Sequence, residues 1–115
     1  PEESCLDLLQ QHQISVLTRG TIAKGLLLDK PATAYLGYSR EEVERLQRGL
    51  QATGNPTAAA LQYVFRHPAV ASAVVGMRNE QQLEDVLAGF SYRIEKSVLK
   101  KLGNVLLPGR YEVHR

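Results

Sequence analysis

The sequence has little of the residue types that would commit it to a specialised setting. A single cysteine, Cys5, among 115 residues leaves no intrachain disulfide to form. That removes the stapled secreted scaffold and leaves a reducing compartment, the cytoplasm, as the expected location. No run approaches the ~18 consecutive apolar residues of a membrane span. No charged-then-apolar signal segment opens the chain, so no membrane association is expected. Excess charge is also lacking: fourteen Lys and Arg against twelve Asp and Glu leave +2, dispersed along the chain. Nucleic-acid affinity needs a basic stripe, and none is expected here. The three histidines, His12, His67 and His114, have no metal-ligand spacing and read as surface or capping groups. Met77 is the only methionine and the chain opens at Pro1, so the sequence reads as a piece of something longer.

What is present is globular. Apolar residues at 43% and charged residues at 23% sit near the averages of folded domains, so a packed core is expected. The length is below one ordinary domain of ~150 residues, so residues 1–115 form a single segment. Between Glu2 and Gln11, the apolar Cys5, Leu6, Leu8 and Leu9 recur at helical spacing, and Cys5 is expected to pack in the core. The β-branched run Ile14 to Thr18, closed by Arg19-Gly20, predicts a strand. A glycine-bearing loop, Gly20 to Gly25, and an irregular Pro31 to Gly37 segment follow.

Ser39 with Glu42 three residues on is a capping box, with Tyr38 and Val43 as a possible staple, and predicts a helix from Arg40 to about Ala52. Asn55 as cap and Pro56 at the first helical position open another, which runs through Arg66 and stops at His67-Pro68. Val70 to Val75 is the second strand, ended at Gly76. Asn79 and Gln82 resemble a further cap pair, and Leu83, Val86, Leu87 and Phe90 make one apolar stripe. A last helix is predicted from Lys96 to Leu107, with Leu99, Leu102 and Leu106 on one face.

Strands separated by helices imply parallel pairing through crossovers, so the class is α/β. Two strands, about 14–18 and 70–75, do not make a stable sheet alone, and their apolar character suits strands buried on both faces. Further strands are expected to come from elsewhere.

Two segments carry candidate chemistry. Val75-Gly76-Met77-Arg78-Asn79 turns from a strand end into a capped helix, presenting unpaired backbone donors and the positive end of the helix dipole. Arg78 adds a planar cation suited to a phosphate, the alternative being an ordinary turn with a solvated arginine. The other segment, Arg19 to Gly25, holds Lys24 between glycines that permit close backbone approach, but it lacks the Walker spacing. Parallel strands deliver both loops to one edge of the sheet.

The stretch Ile14-Ser15-Val16-Leu17-Thr18-Arg19-Gly20-Thr21-Ile22-Ala23-Lys24-Gly25-Leu26-Leu27 resembles the seventh strand and following loop of aldo-keto reductases. Ala60 to Val64, His67 to Val70 and Val74 to Glu84 resemble their last helix, eighth strand and final phosphate-binding helix. The resemblance implies the C-terminal part of a (β/α)8 TIM barrel, with two parallel strands and flanking helices. Such barrels need ~200 residues or more and commonly bind phosphate after strands seven and eight. It also implies NADP(H) as cofactor, a small-molecule carbonyl substrate, and the remainder of the barrel as partner. By position, Gly20, Thr21, Ile22 and Lys24 would line the pyrophosphate. Gly76, Met77, Arg78 and Asn79 would hold the adenosine 2′-phosphate, with Gln82 and Asp85 beside the adenine.

Three positions depart from the family pattern. Arg19 stands where an aromatic ring often stacks on the nicotinamide, a role a guanidinium can also fill. Gly20 replaces a frequent serine, and Val86 replaces an adenine-contacting asparagine. The family's catalytic Asp, Tyr, Lys and His lie in the first half of the barrel, and Tyr35, Tyr38, Tyr63, Tyr92 and Tyr111 do not match the catalytic tyrosine. No catalytic residue is therefore assigned, and the isolated chain is expected to be inactive. The alternative within the same fold is a non-catalytic nucleotide-binding module of a channel-subunit type. Lys96, Lys100, Lys101 and Arg93 read as a solvated basic face, and Arg110 to Arg115 as the variable tail that borders the substrate pocket in family members.

Overall fold

The computed structural model describes residues 4–109. Its elements follow the expected order: α1 (Cys5–Gln11), β1 (Val16–Arg19), α2 (Arg40–Gln51), α3 (Pro56–Phe65), β2 (Val70–Val74), α4 (Glu80–Ser91) and α5 (Lys96–Gly103). A short 3-10 turn over Ala23–Gly25 interrupts the loop after β1.

Local chemistry accounts for the helix starts. The Ser39 side chain accepts from the Glu42 backbone N–H at 3.2 Å, and Glu42 Oε2 accepts from the Ser39 N–H at 2.8 Å. Both bonds of the capping box are thus made. In the same turn, a backbone hydrogen bond and then the Ser39 hydroxyl hold the Glu41 carboxyl below the usual carboxylate range. Ser39→Ala is expected to destabilise the full-length protein by about 1 kcal/mol, read as a lower urea midpoint at unchanged slope. A Ser39→Asp variant with the wild-type midpoint would confirm the cap as the cause. Asn55 caps α3 in the same manner, accepting from Ala58 N–H at 2.9 Å, with Pro56 in the first turn.

Helix α3 is the hub. Ala58, Ala59, Ala60 and Leu61 are consecutive and all buried, because this helix is covered on several sides by α2, α4, α5 and β2. Leu50 of α2, Ala59, Leu99 and Leu102 form the central cluster, with Leu27, Leu46, Tyr63 and Ile94 packed against it. The carboxamide of Gln62 fastens the α4–α5 link to α3, donating to the Tyr92 carbonyl and accepting from the Ile94 N–H.

β1 and β2 pair in parallel, as expected, with Val16 opposite Val70, Leu17 opposite Ser72, Thr18 opposite Ala73 and Arg19 opposite Val74. A shift in register falls between Val16 and Leu17. Both strands differ by a residue or two from the expected ranges 14–18 and 70–75.

The strands, as expected of a sheet whose further strands come from elsewhere, are open within this chain: Leu17 is 69% and Val74 61% exposed. Three expectations are corrected. Cys5 is exposed, because only Leu6 of α1 reaches the core. The stripe on α4 forms a helix face, but Leu83, Leu87 and Phe90 stay largely exposed, and α4 meets α3 at Gly89, its one buried residue, and through the Phe90 ring, edge-on to Phe65 at 5.8 Å between centroids. Finally, α5 stops at Gly103 rather than Leu107, since Gly103 and Asn104 are poor helix continuers and Asn104 leaves helical geometry (φ −99°, ψ 0°). Leu106 and Leu107 continue as irregular chain, and the Tyr38 hydroxyl donates to the Leu107 carbonyl at 3.0 Å while accepting from the Gly109 N–H at 2.7 Å. His114, Tyr111 and the Arg110 to Arg115 tail lie outside the described residues.

The remaining surface assignments hold. His12 follows α1 as its cap and is exposed. His67 is a capping group: its Nδ1 accepts from the Ala69 N–H at 3.2 Å, which leaves Nε2 to donate to Asp7 at 3.1 Å. Tyr63 packs beside the core, with the Arg66 guanidinium 3.9 Å from its ring centroid.

Candidate functional site

The sheet register assembles the site. Arg19, the last residue of β1, lies opposite Val74, the last residue of β2, so the segments Gly20–Gly25 and 75–79 leave the sheet at the same edge. The two sequence-expected segments are thereby neighbours.

The second segment is built by its cap. Asn79 is extended (φ −147°, ψ 167°), and its side chain accepts from the Gln82 N–H at 2.9 Å. A capping box would return the Gln82 side chain to the Asn79 N–H. Instead, Gln82 Oε1 accepts from the N–H of Arg78, at 2.8 Å. The bond reaches one residue further back and fixes the backbone at Arg78. With Gln82 N–H given to the Asn79 side chain and Leu83 N–H to the Asn79 carbonyl at 3.4 Å, the Glu80 and Gln81 N–H groups are the first-turn donors without an intrahelical partner. Glu80 places one carboxylate in that turn. Asp85 accepts from Gln81 Nε2 at 3.0 Å, one turn along.

Gly76, Met77, Arg78 and Asn79 are all exposed. The Arg78 guanidinium and the Lys24 ammonium make no hydrogen bond or ion pair among the described residues. A Cβ on Gly20 or on Gly76 would meet nothing within 4 Å, so both backbones are open to close approach. Gly20 also needs its freedom, since its φ is +76°.

The first segment is less regular than its sequence suggests. Ala23 (φ 46°), Lys24 (φ 59°) and Gly25 (φ 86°) adopt left-handed backbone in succession, which side chains with a Cβ disfavour. Two groups that sequence reasoning missed hold this turn. Lys30 Nζ donates to the Lys24 carbonyl at 2.6 Å, and Gln47 Nε2 of α2 donates to the carbonyls of Leu26, at 2.5 Å, and Lys30, at 2.9 Å. No sequence signal marks them, because their partners are backbone carbonyls that every residue possesses. The Thr21 hydroxyl oxygen is buried and has no hydrogen-bond partner among the described residues.

A cavity of about 210 Å³ lies among Thr21, Leu27, Tyr38, Leu50, Tyr63 and Leu107. It is chiefly apolar, and it touches the strand-edge site only at Thr21, since none of residues 76–79 lines it. Among the described residues there is no cluster of three or more His, Cys, Asp or Glu placed for a metal ion, and no helix long and apolar enough to cross a membrane.

The donor set of Arg78, Lys24, two glycine backbones and a helix N-terminus suits an anionic ligand with separated phosphates. Comparison with known proteins decides the family: a sequence model described as "Aldo/keto reductase family" matches residues 1–106. The chain belongs to the aldo/keto reductase family. It is 36% identical over 128 residues to "Uncharacterized oxidoreductase YqkF" of Bacillus subtilis (strain 168), a match that takes in all of this chain and 42% of that protein. The apo form of aldo-keto reductase AKR11C1 from Bacillus halodurans superposes with a TM-score of 0.87 at 28% identity, covering all of this chain and 42% of that one. Its holo form gives 0.87 at 27% identity, covering 98% and 41%. This member of the family thus spans about two-fifths of the length of these relatives. Its two parallel strands and flanking helices are part of an aldo-keto reductase (β/α)8 barrel.

Proposed function

We propose that this aldo-keto reductase chain is the C-terminal, NADP(H)-binding portion of an oxidoreductase that reduces aldehydes or ketones. The reading rests on one observation above the others, the pairing of Arg19 with Val74 that sends both phosphate-competent segments off the same sheet edge. The holo form among the similar structures supports a bound cofactor in this fold.

In this reading, each residue binds or orients. Arg78 takes the 2′-phosphate through its planar fork, a geometry that a lysine point charge does not reproduce. Asn79 and Gln82 hold the backbone around it in place, and Gly76 and Met77 bring the chain to the ligand. The backbone at Gly20, Thr21 and Ile22 receives the pyrophosphate, with Lys24 supplying countercharge, while Arg19 meets the nicotinamide end. Gln82 and Asp85 stand toward the adenine. When bound, the reduced dinucleotide supplies a hydride to a carbonyl carbon. The proton for the carbonyl oxygen comes from residues outside 1–115, since no tyrosine of this chain matches the family's acid. A small-molecule carbonyl compound and the rest of the barrel are the partners, and the cytoplasm is the proposed location.

The test is a fluorescence titration of the full-length protein with NADP⁺ and NAD⁺, expected to give clearly tighter binding of NADP⁺. Equal affinity for the two would remove the 2′-phosphate site. Residues 1–115 alone are expected to show no NADPH oxidation with any aldehyde, and robust turnover would overturn the placement of the acid elsewhere.

A further inference from the structure

We infer that Gln47 and Lys30 are positioning residues that hold the Gly20–Gly25 loop in its ligand-receiving shape, an inference that rests on the dinucleotide reading of that loop. Three successive residues in left-handed backbone, two of them not glycine, do not keep that shape unaided. The bonds that hold them form a relay. Gln47 Nε2 donates to the carbonyls of Leu26 and Lys30, fixing the segment that follows the turn. Lys30 then reaches back over Gly25 to donate to the Lys24 carbonyl, with its Cε 3.3 Å from where a Gly25 Cβ would stand. A side chain at position 25 would block that path.

The relay is anchored on a rigid support. Gln47 belongs to α2, whose start is tied by the Ser39–Glu42 box and whose Leu46 and Leu50 pack in the core. Buried Leu26 secures the far side of the turn, and its N–H donates to the Ala23 carbonyl at 3.1 Å. All three relay bonds end on backbone carbonyls, so what they determine is the path of the chain and the direction of its N–H groups. Those N–H groups are what a pyrophosphate would meet.

The experiment uses the full-length protein with Gln47→Leu, which keeps the apolar stem and removes both donors, and with Lys30→Met, on the exposed side of the loop. Hydrogen–deuterium exchange through residues 20–30 and dissociation constants for NADP⁺ and adenosine 2′-monophosphate are measured. The second ligand carries the 2′-phosphate and no pyrophosphate. Both variants are expected to speed exchange in the loop and weaken NADP⁺ about tenfold, the worth of one to two net hydrogen bonds. Adenosine 2′-monophosphate is expected to bind as in the wild type, and Lys30→Arg, which still donates, to restore NADP⁺ affinity. Unaltered exchange overturns the inference, as does faster exchange with unaltered NADP⁺ affinity. Equal loss for both ligands overturns it too, since that marks general loosening of the fold. A wild type that binds neither ligand sinks the dinucleotide reading, and this assignment with it. A wild type that binds both, with variants that match it, sinks the positioning role alone.

Discussion

Arg78→Ala in the full-length protein is expected to weaken NADPH about ten- to a hundredfold while changing NADH little. A hydrogen bond to a charged group contributes roughly 1.5–3 kcal/mol, and each 1.4 kcal/mol is a factor of ten in affinity. The lower part of that range applies, because Arg78 is exposed and water screens part of the attraction. The difference between the two cofactors is the informative quantity. They share the pyrophosphate and both nucleosides, so a variant that merely loosened the loop would weaken them together. Arg78→Lys should fall between wild type and alanine, retaining charge while losing the two parallel hydrogen bonds of the guanidinium. Raising the salt concentration should narrow the gap between NADPH and NADH, since the extra attraction is largely coulombic. Equal weakening of both cofactors in a fluorescence titration would take Arg78 out of the 2′-phosphate role.

The features that sequence reading recovered share a physical property: they are local. The Ser39–Glu42 box, the Asn55-Pro56 start and the Asn79 cap are each decided within four residues, and each forms with its expected bond. The parallel pairing was legible because helices separate the two strands, and from it followed the meeting of the Gly20–Gly25 and 75–79 segments. What escaped depends on atoms far along the chain or on choices among near-equal partners. Periodicity shows that Leu83, Leu87 and Phe90 share a face, but not whether this chain covers it, and Phe90 remains 65% exposed. Gln82 has two nearby N–H groups to accept from, and the turn at Arg78 decides in favour of the more distant one. Gln47 finds its acceptors 21 and 17 residues back in the chain, a separation that no pattern of side chains encodes.

Gly89 joins the packing to the site, and Gly89→Leu is expected to be the most damaging single change in the chain. An added Cβ there would stand 3.1 Å from the Ala58 backbone nitrogen and 3.1 Å from Thr57 Cγ2, where α4 crosses the start of α3. Backbone cannot rotate out of the way as a side-chain end can, so α4 must move off α3 as a body. Overpacking of this kind costs typically 1–3 kcal/mol and occasionally more, and the bulk of leucine against main chain places this variant at about 3 kcal/mol. Gly89→Ala sets two effects against each other. Alanine gains about 1 kcal/mol of helix propensity over glycine, but the same 3.1 Å contact opposes it, so a modest net loss is expected. The displacement has a functional reach as well. Ten residues at 1.5 Å each put Asn79 about 15 Å up the helix axis from Gly89, so a tilt of α4 at its α3 contact carries Arg78 with it. Gly89→Leu should therefore lower the urea midpoint and weaken NADPH together, whereas Arg78→Ala should weaken NADPH at an unchanged midpoint. Wild-type stability in Gly89→Leu would mean that α4 is not held against α3 at this crossing, and that the orientation of the phosphate turn has some other source.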